Sequence, residues 1–144
     1  ALASAPVDEF PAFLRRYMEA ARSNPCMSLK DNFFNILRHK QAQPYLGGCA
    51  GFGCGAAFNF VSLLPDGEVH ACRKLPSHIG NMFERSLNDI YHDEPASRYR
   101  QGSAACSSCS IRPVCGGCLA VNYGVGNDIF NDLDPYCFME NPEN

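Results

Sequence analysis

Cys106-Ser-Ser-Cys109-Ser-Ile-Arg-Pro-Val-Cys115-Gly-Gly-Cys118 places four thiols within thirteen residues. The residues between them are mostly small or turn-forming, so the backbone can double back and aim several sulfurs at one place. Four thiolates are the donor set of a structural zinc ion or of a 4Fe-4S cluster, and the stretch reads as a metal or cluster site. Spacing narrows the arrangement. Paired zinc ribbons present two Cys-x2-Cys knuckles on separate hairpins, with a longer insertion than the five residues between Cys109 and Cys115. With the pairs nearly abutting, four sulfurs would crowd one ion, and a split in which Cys118 serves a different site is the easier geometry.

Working outward, residues 1 to 45 hold one cysteine, Cys26, whereas residues 46 to 137 hold Cys49, Cys54, Cys72, Cys137 and the four of the run. The chain divides into a helical leader, a cysteine-dependent module from 46 to 138, and a tail from 139 to 144. Its 144 residues suffice for a real core. The formal charge is -3. With no basic run beyond Arg15-Arg16 and Arg38-His39-Lys40, nothing marks a nucleic-acid partner, which requires a concentrated positive face. No apolar stretch approaches the ~20 residues of a membrane span, and no export signal is visible. A cytoplasmic location is expected, where nine cysteines argue for metal or redox chemistry over a disulfide framework.

In the leader, Phe10, Phe13, Leu14, Tyr17, Met18 and Ala21 recur at spacings of three and four, predicting a helix over 7–23 that Asn24-Pro25 ends. A second helix is expected from Ser28, with Asp31 completing an Asp version of the capping box and Phe33, Ile36 and Leu37 as its stripe. Residues 58–64 read as a strand, Pro65-Asp66-Gly67 as a turn, and residues 68–72 as the return strand, bringing Cys72 and His70 to one face. Gly80-Asn81 reads as another turn. Ser86 starts a helix that Pro95 ends or restarts, and Leu119 to Asn131 reads as a short helix followed by a loop.

These features together resemble the SPASM domain, the C-terminal auxiliary-cluster module of radical S-adenosylmethionine enzymes that mature ribosomal peptides and proteins. The residues that carry the resemblance are Cys54, Gly67, Cys72, Cys106-x2-Cys109-x5-Cys115-Gly-Gly-Cys118 and Cys137, with the Pro65-Asp-Gly67-Glu-Val hairpin, Gly80-Asn81, Ser86-Leu-x-Asp-Ile-Tyr91 and Asp134-Pro-x-Cys137. Lys30-Asp-Asn-Phe-Phe-Asn-Ile-Leu37 is similar to the segment that joins the catalytic barrel of such enzymes to this module. The fold implied is α+β: a small cysteine-rich module with a β-hairpin and short helices around two cluster sites, preceded by two leader helices. The resemblance assigns Cys49, Cys54, Cys72 and Cys118 to a first 4Fe-4S cluster, and Cys106, Cys109, Cys115 and Cys137 to a second. Family members commonly have three residues where this chain has Gly116-Gly117. Sulfatase-maturing members place a carboxylate where this chain has Arg73, which points toward peptide modification more generally.

The Cys-x3-Cys-x2-Cys motif that binds the reducing cluster of such enzymes is absent, so the chain reads as an excised C-terminal fragment without catalytic residues. S-adenosylmethionine and a third cluster belong only to the full-length enzyme. There the resemblance implies a 5'-deoxyadenosyl radical that takes hydrogen from a peptide or protein substrate. The auxiliary clusters would accept the electron, hold the peptide, or both. The implied partners are that substrate, the enzyme's own radical domain, and a reductant such as flavodoxin or ferredoxin. Zinc, disulfides or empty thiols are expected at the cluster positions after handling in air. The alternatives are a zinc-stabilised protein-interaction module and a disulfide-bonded extracellular domain; the odd thiol count and the lack of a signal oppose the latter.

Arg73, Lys74, Arg112 and the amides of Gly116-Gly117 are candidate tuners of the clusters. Cys26 reads as a free thiol. His39, His78 and His92 read as ordinary surface or turn histidines, with His70 singled out because it shares a strand face with Cys72. Asp66 and Glu68 read as turn and strand-end residues. Phe58, Phe60, Val61, Leu63 and Leu64 read as core, or alternatively as an edge able to pair with a peptide strand.

Overall fold

Two apolar stripes in the leader determine where its helices pack. The computed structural model describes residues 5–47 and 52–139. Helix α1 spans Phe10–Ser23, with Pro11 in its first turn, where a missing amide costs nothing. Helix α2 spans Phe34–Lys40, so the expected start at Ser28 is too early. The Asp31 carboxylate accepts from the Phe33 amide at 2.8 Å and forms a tight turn there instead of closing a capping box. Leu14 and Met18 of α1 and Ile36 and Leu37 of α2 share one core with Phe33, Phe34, Ile111, Cys115 and Phe138. The leader thus packs across the boundary at 45, onto the cysteine run itself.

The other core lies on a three-stranded antiparallel sheet. The strands are β1 (Ser62–Leu63), β2 (Glu68–His70) and β3 (His78–Asn81), in the order β1-β2-β3. The strand expected over 58–64 shrinks to two residues. Ala57 has φ +50, and the amides of Phe58 and Asn59 bond back to the Gly55 carbonyl, so residues 55–59 form a turn. Phe58, Phe60, Leu63 and Leu64 are accordingly exposed rather than core, because they sit on a turn and an edge strand. β2 ends at His70, which leaves Cys72 in the turn that follows.

Gly80-Asn81 is a strand, not a turn. Asn81 donates to the Asp66 carbonyl at 3.1 Å and accepts from the Phe83 amide at 2.9 Å, which moves the reversal just past it. Val69, Ala71, Leu75 and Ile79 bury against Ile90 of α3 (Leu87–His92), Ala96 of α4 (Glu94–Gln101) and Leu119 of α5 (Leu119–Val125). Ser86 caps α3 by accepting from the Asp89 amide. Pro95 restarts the chain as the first turn of α4. Among the described residues, five α-helices and a small antiparallel sheet make this a small α+β fold. Among the described residues, every buried side-chain polar atom has a hydrogen-bond partner.

Candidate metal centre

The cysteine run folds as a series of tight turns. The Cys109 amide donates to the Cys106 carbonyl, the Arg112 amide to Cys109, and the Cys115 amide to Arg112, at 3.1, 3.1 and 3.2 Å. One 3-10 turn (Ala104–Cys106) precedes Cys109, and a second (Arg112–Val114) precedes Cys115. Gly116 and Gly117 follow at φ +68 and +66, a left-handed pair that turns the chain sharply enough to separate Cys115 from Cys118. The two-residue spacer works because both its residues are glycine.

Cys106 lies within electrostatic reach of Cys137 and Cys109, and Cys115 within reach of Cys137 and Cys106. Burial pushes the Cys106 thiol up, reinforced by Cys137 and Cys109 and opposed by the Arg112 guanidinium. Burial pushes Cys115 up to about 12, against hydrogen bonds from the Gly117 amide and Asn32. Cys115 is only 6% exposed.

Cys54, Cys72 and Cys118 line a separate cleft of about 520 Å³, together with Arg73 and Lys74. Cys49 lies outside the described residues. Cys72 is held by Ser77, whose fully buried hydroxyl accepts from the Cys72 amide at 2.9 Å and lies within hydrogen-bonding distance of the Cys72 and Leu75 carbonyls. Cys118 precedes α5. Burial raises its thiol pKa, partly offset by the amides of Val121 and Ala120 and by the Lys74 charge, while Asp134 adds to the rise.

Two contacts join the groups. Gly53, beside Cys54, lies so close to Cys115 that a Cβ would sit 2.8 Å from the Cys115 carbonyl oxygen and 3.0 Å from its nitrogen. The buried Asp134 carboxylate accepts from the Cys118 amide at 2.8 Å and from the Tyr136 amide at 2.9 Å, while its own carbonyl accepts from the Cys137 amide. Burial raises the Asp134 pKa against those two hydrogen bonds.

Of the expected tuners, Lys74 acts on Cys118, Arg112 on Cys106 and the Gly117 amide on Cys115, and Arg73 lines the cleft. Nothing in the sequence pointed to Ser77, and Asn32, Asn35 and Asp134 showed there only as parts of motifs. The detectable signal was two asparagines beside the apolar stripe Phe33, Ile36 and Leu37, since a polar side chain on a buried face requires partners. His70 faces Glu68 at 2.9 Å and accepts from the Ser77 amide at 3.3 Å.

Among the described residues, no three Cys, His, Asp or Glu side chains converge on a point that one ion would fill. The thiols instead surround a cleft and a buried turn, an all-sulfur donor set that a zinc ion and an iron-sulfur cluster both accept. Residues 54–118 match the SPASM family, an iron-sulfur cluster-binding domain. This segment is a SPASM domain. Iron-sulfur binding is therefore its chemistry. The SPASM match begins at Cys54 of the cleft and ends at Cys118 of the same cleft, so Cys137 and the leader lie beyond it. No curated protein matches the chain. Among the described residues, no helix is long and apolar enough to cross a membrane.

Proposed function

We propose that this SPASM domain is the auxiliary cluster module of a radical S-adenosylmethionine enzyme that modifies a ribosomally made peptide or protein. The observation that carries the reading is the gathering of Cys54, Cys72 and Cys118 round one cleft and of Cys109, Cys115 and Cys137 within electrostatic reach of Cys106. Cys49, Cys54, Cys72 and Cys118 would hold a first 4Fe-4S cluster, and the other four a second. Such a cluster supplies a one-electron acceptor or donor when bound.

The chain's own residues then do three things. Ser77 and Asp134 hold the backbones of Cys72 and Cys118 in place. Arg73 and Lys74 put positive charge at the cleft, which favours an added electron and attracts an acidic reductant such as flavodoxin or ferredoxin. The packed leader shields the second group from water. Removal of hydrogen from the peptide belongs to the radical domain of the whole enzyme.

Iron and acid-labile sulfide analysis after anaerobic reconstitution tests the reading, with about eight of each expected per chain for two 4Fe-4S clusters. Retention of about two zinc ions per chain, without sulfide or a brown chromophore, would overturn it in favour of a zinc-stabilised interaction module.

A further inference from the structure

Two buried asparagines beside α2 reach across to the cysteine run. Asn32, just ahead of the helix, and Asn35, within it, are three residues apart and share a face. Asn35 is fully buried and, among the described residues, bonds to backbone: its amide donates to the carbonyls of Leu46 and Val114 at 2.6 and 2.7 Å, and its oxygen accepts from the Leu46 amide. Asn32 donates to the carbonyls of Cys115 and Gly117 at 2.8 and 3.0 Å, and the same nitrogen lies 3.8 Å from the Cys115 sulfur. Carbonyls only accept, so these partners orient the nitrogen, rather than the oxygen, toward the sulfur. Two hydrogens serve three acceptors, and one is shared between a carbonyl and the sulfur. The Asp31 turn and the bond from the Asn35 amide to the Asn32 carbonyl, 3.0 Å, lock the backbone on either side.

We infer that Asn32 is a positioning residue for the second cluster, setting the Cys115–Gly117 turn and holding an N–H edge against the Cys115 sulfur so that the cluster is more easily reduced. The inference rests on Cys115 being a cluster ligand. Reduction adds negative charge to the sulfurs, a donor aimed at one of them stabilises the reduced form, and burial strengthens the effect. Asn35 is the internal control. It lies one turn further on, inside α2, and anchors the adjacent residue Val114, but it donates to carbonyls.

The test compares the anaerobically loaded 144-residue chain with its Asn32→Leu and Asn35→Leu variants by iron and sulfide content, thermal melting and an EPR-monitored redox titration. Both variants are expected to melt lower. Only Asn32→Leu should move the second cluster to lower potential, by about tenfold in its reduction equilibrium, or ~59 mV for one electron. An unchanged potential, or an equal shift in Asn35→Leu, overturns the inference while leaving cluster binding intact. Should Asn32→Leu fail to load, pulsed EPR of the reduced wild type carrying nitrogen-15 asparagine decides. Coupling to an asparagine side-chain nitrogen is expected, and its absence overturns the inference. A wild-type chain that takes up no second cluster removes both the inference and the ligand assignment beneath it.

Discussion

The cleft of Cys54, Cys72 and Cys118 and the buried turn of Cys106, Cys109 and Cys115 use the same side chain in opposite surroundings. The first is open, and two exposed cations border it. The second shares a core with Leu14, Phe33 and Ile36 and is touched by neutral amides from Asn32 and Gly117. Charges beside water are screened, whereas oriented amides in a dry core keep their strength. On the proposed reading, the cleft is suited to exchange with partners, and the buried turn to holding its potential against changes in the medium.

The sharpest way to break this contrast is to remove one ligand from each side. Cys115→Ala should lose the second cluster and destabilise the fold by about 4 kcal/mol, because metal affinity there is also folding energy. Cys72→Ala should lose a comparable amount of iron with a smaller loss of stability. Iron analysis with chemical denaturation of both variants measures the difference, and equal losses would erase the contrast.

Gly53→Ala tests whether the two groups can be separated at all. Its Cβ would collide with the Cys115 backbone, and φ is +75. A loss of about 3 kcal/mol is expected, with iron falling at both sites. Selective loss at one site would show them to be independent.

Asp134→Asn is isosteric but replaces one of two accepting oxygens by a donor. The amide of Cys118 or of Tyr136 would then face an NH2 group, costing about 2 kcal/mol in a thermal melt.

The effect that is smallest near neutral pH, and grows only above pH 9, is one of pH on the cluster-free chain. The Cys115 thiol rises from 9.0 to about 12 on folding. The unfolded thiol ionises first, so the stability is complete below pH 9 and is lost as pH rises toward 12. Thermal melts across that range should fall with rising pH, and the slope should flatten in Cys115→Ala.

Much of this was legible in the chain. The periodicity of Phe10, Leu14 and Met18 marked α1, Pro65-Asp66-Gly67 marked the hairpin, and the cysteine spacing marked a cluster-binding module. What escaped was non-local. Ser28 and Asp31 satisfy a capping pattern, yet Asp31 bonds to its near neighbour Phe33. Asn32 looks like an ordinary helix-start residue until the chain returns 83 residues later with Cys115. The aromatic run from Phe58 to Leu64 has the composition of a buried strand, but nothing in its own pattern reveals that most of it stays exposed.

Asp134 also imposes an order in time. A growing chain exposes Cys118 well before the carboxylate that holds its amide has been made, and Cys137 comes later still. Neither group of thiols has its final geometry until the segment around 134–137 has left the ribosome. On the proposed reading, insertion of iron and sulfide therefore waits for residue 137, and a nascent chain stalled just before residue 134 would present eight cysteines to the cell with the Cys118 amide still unheld.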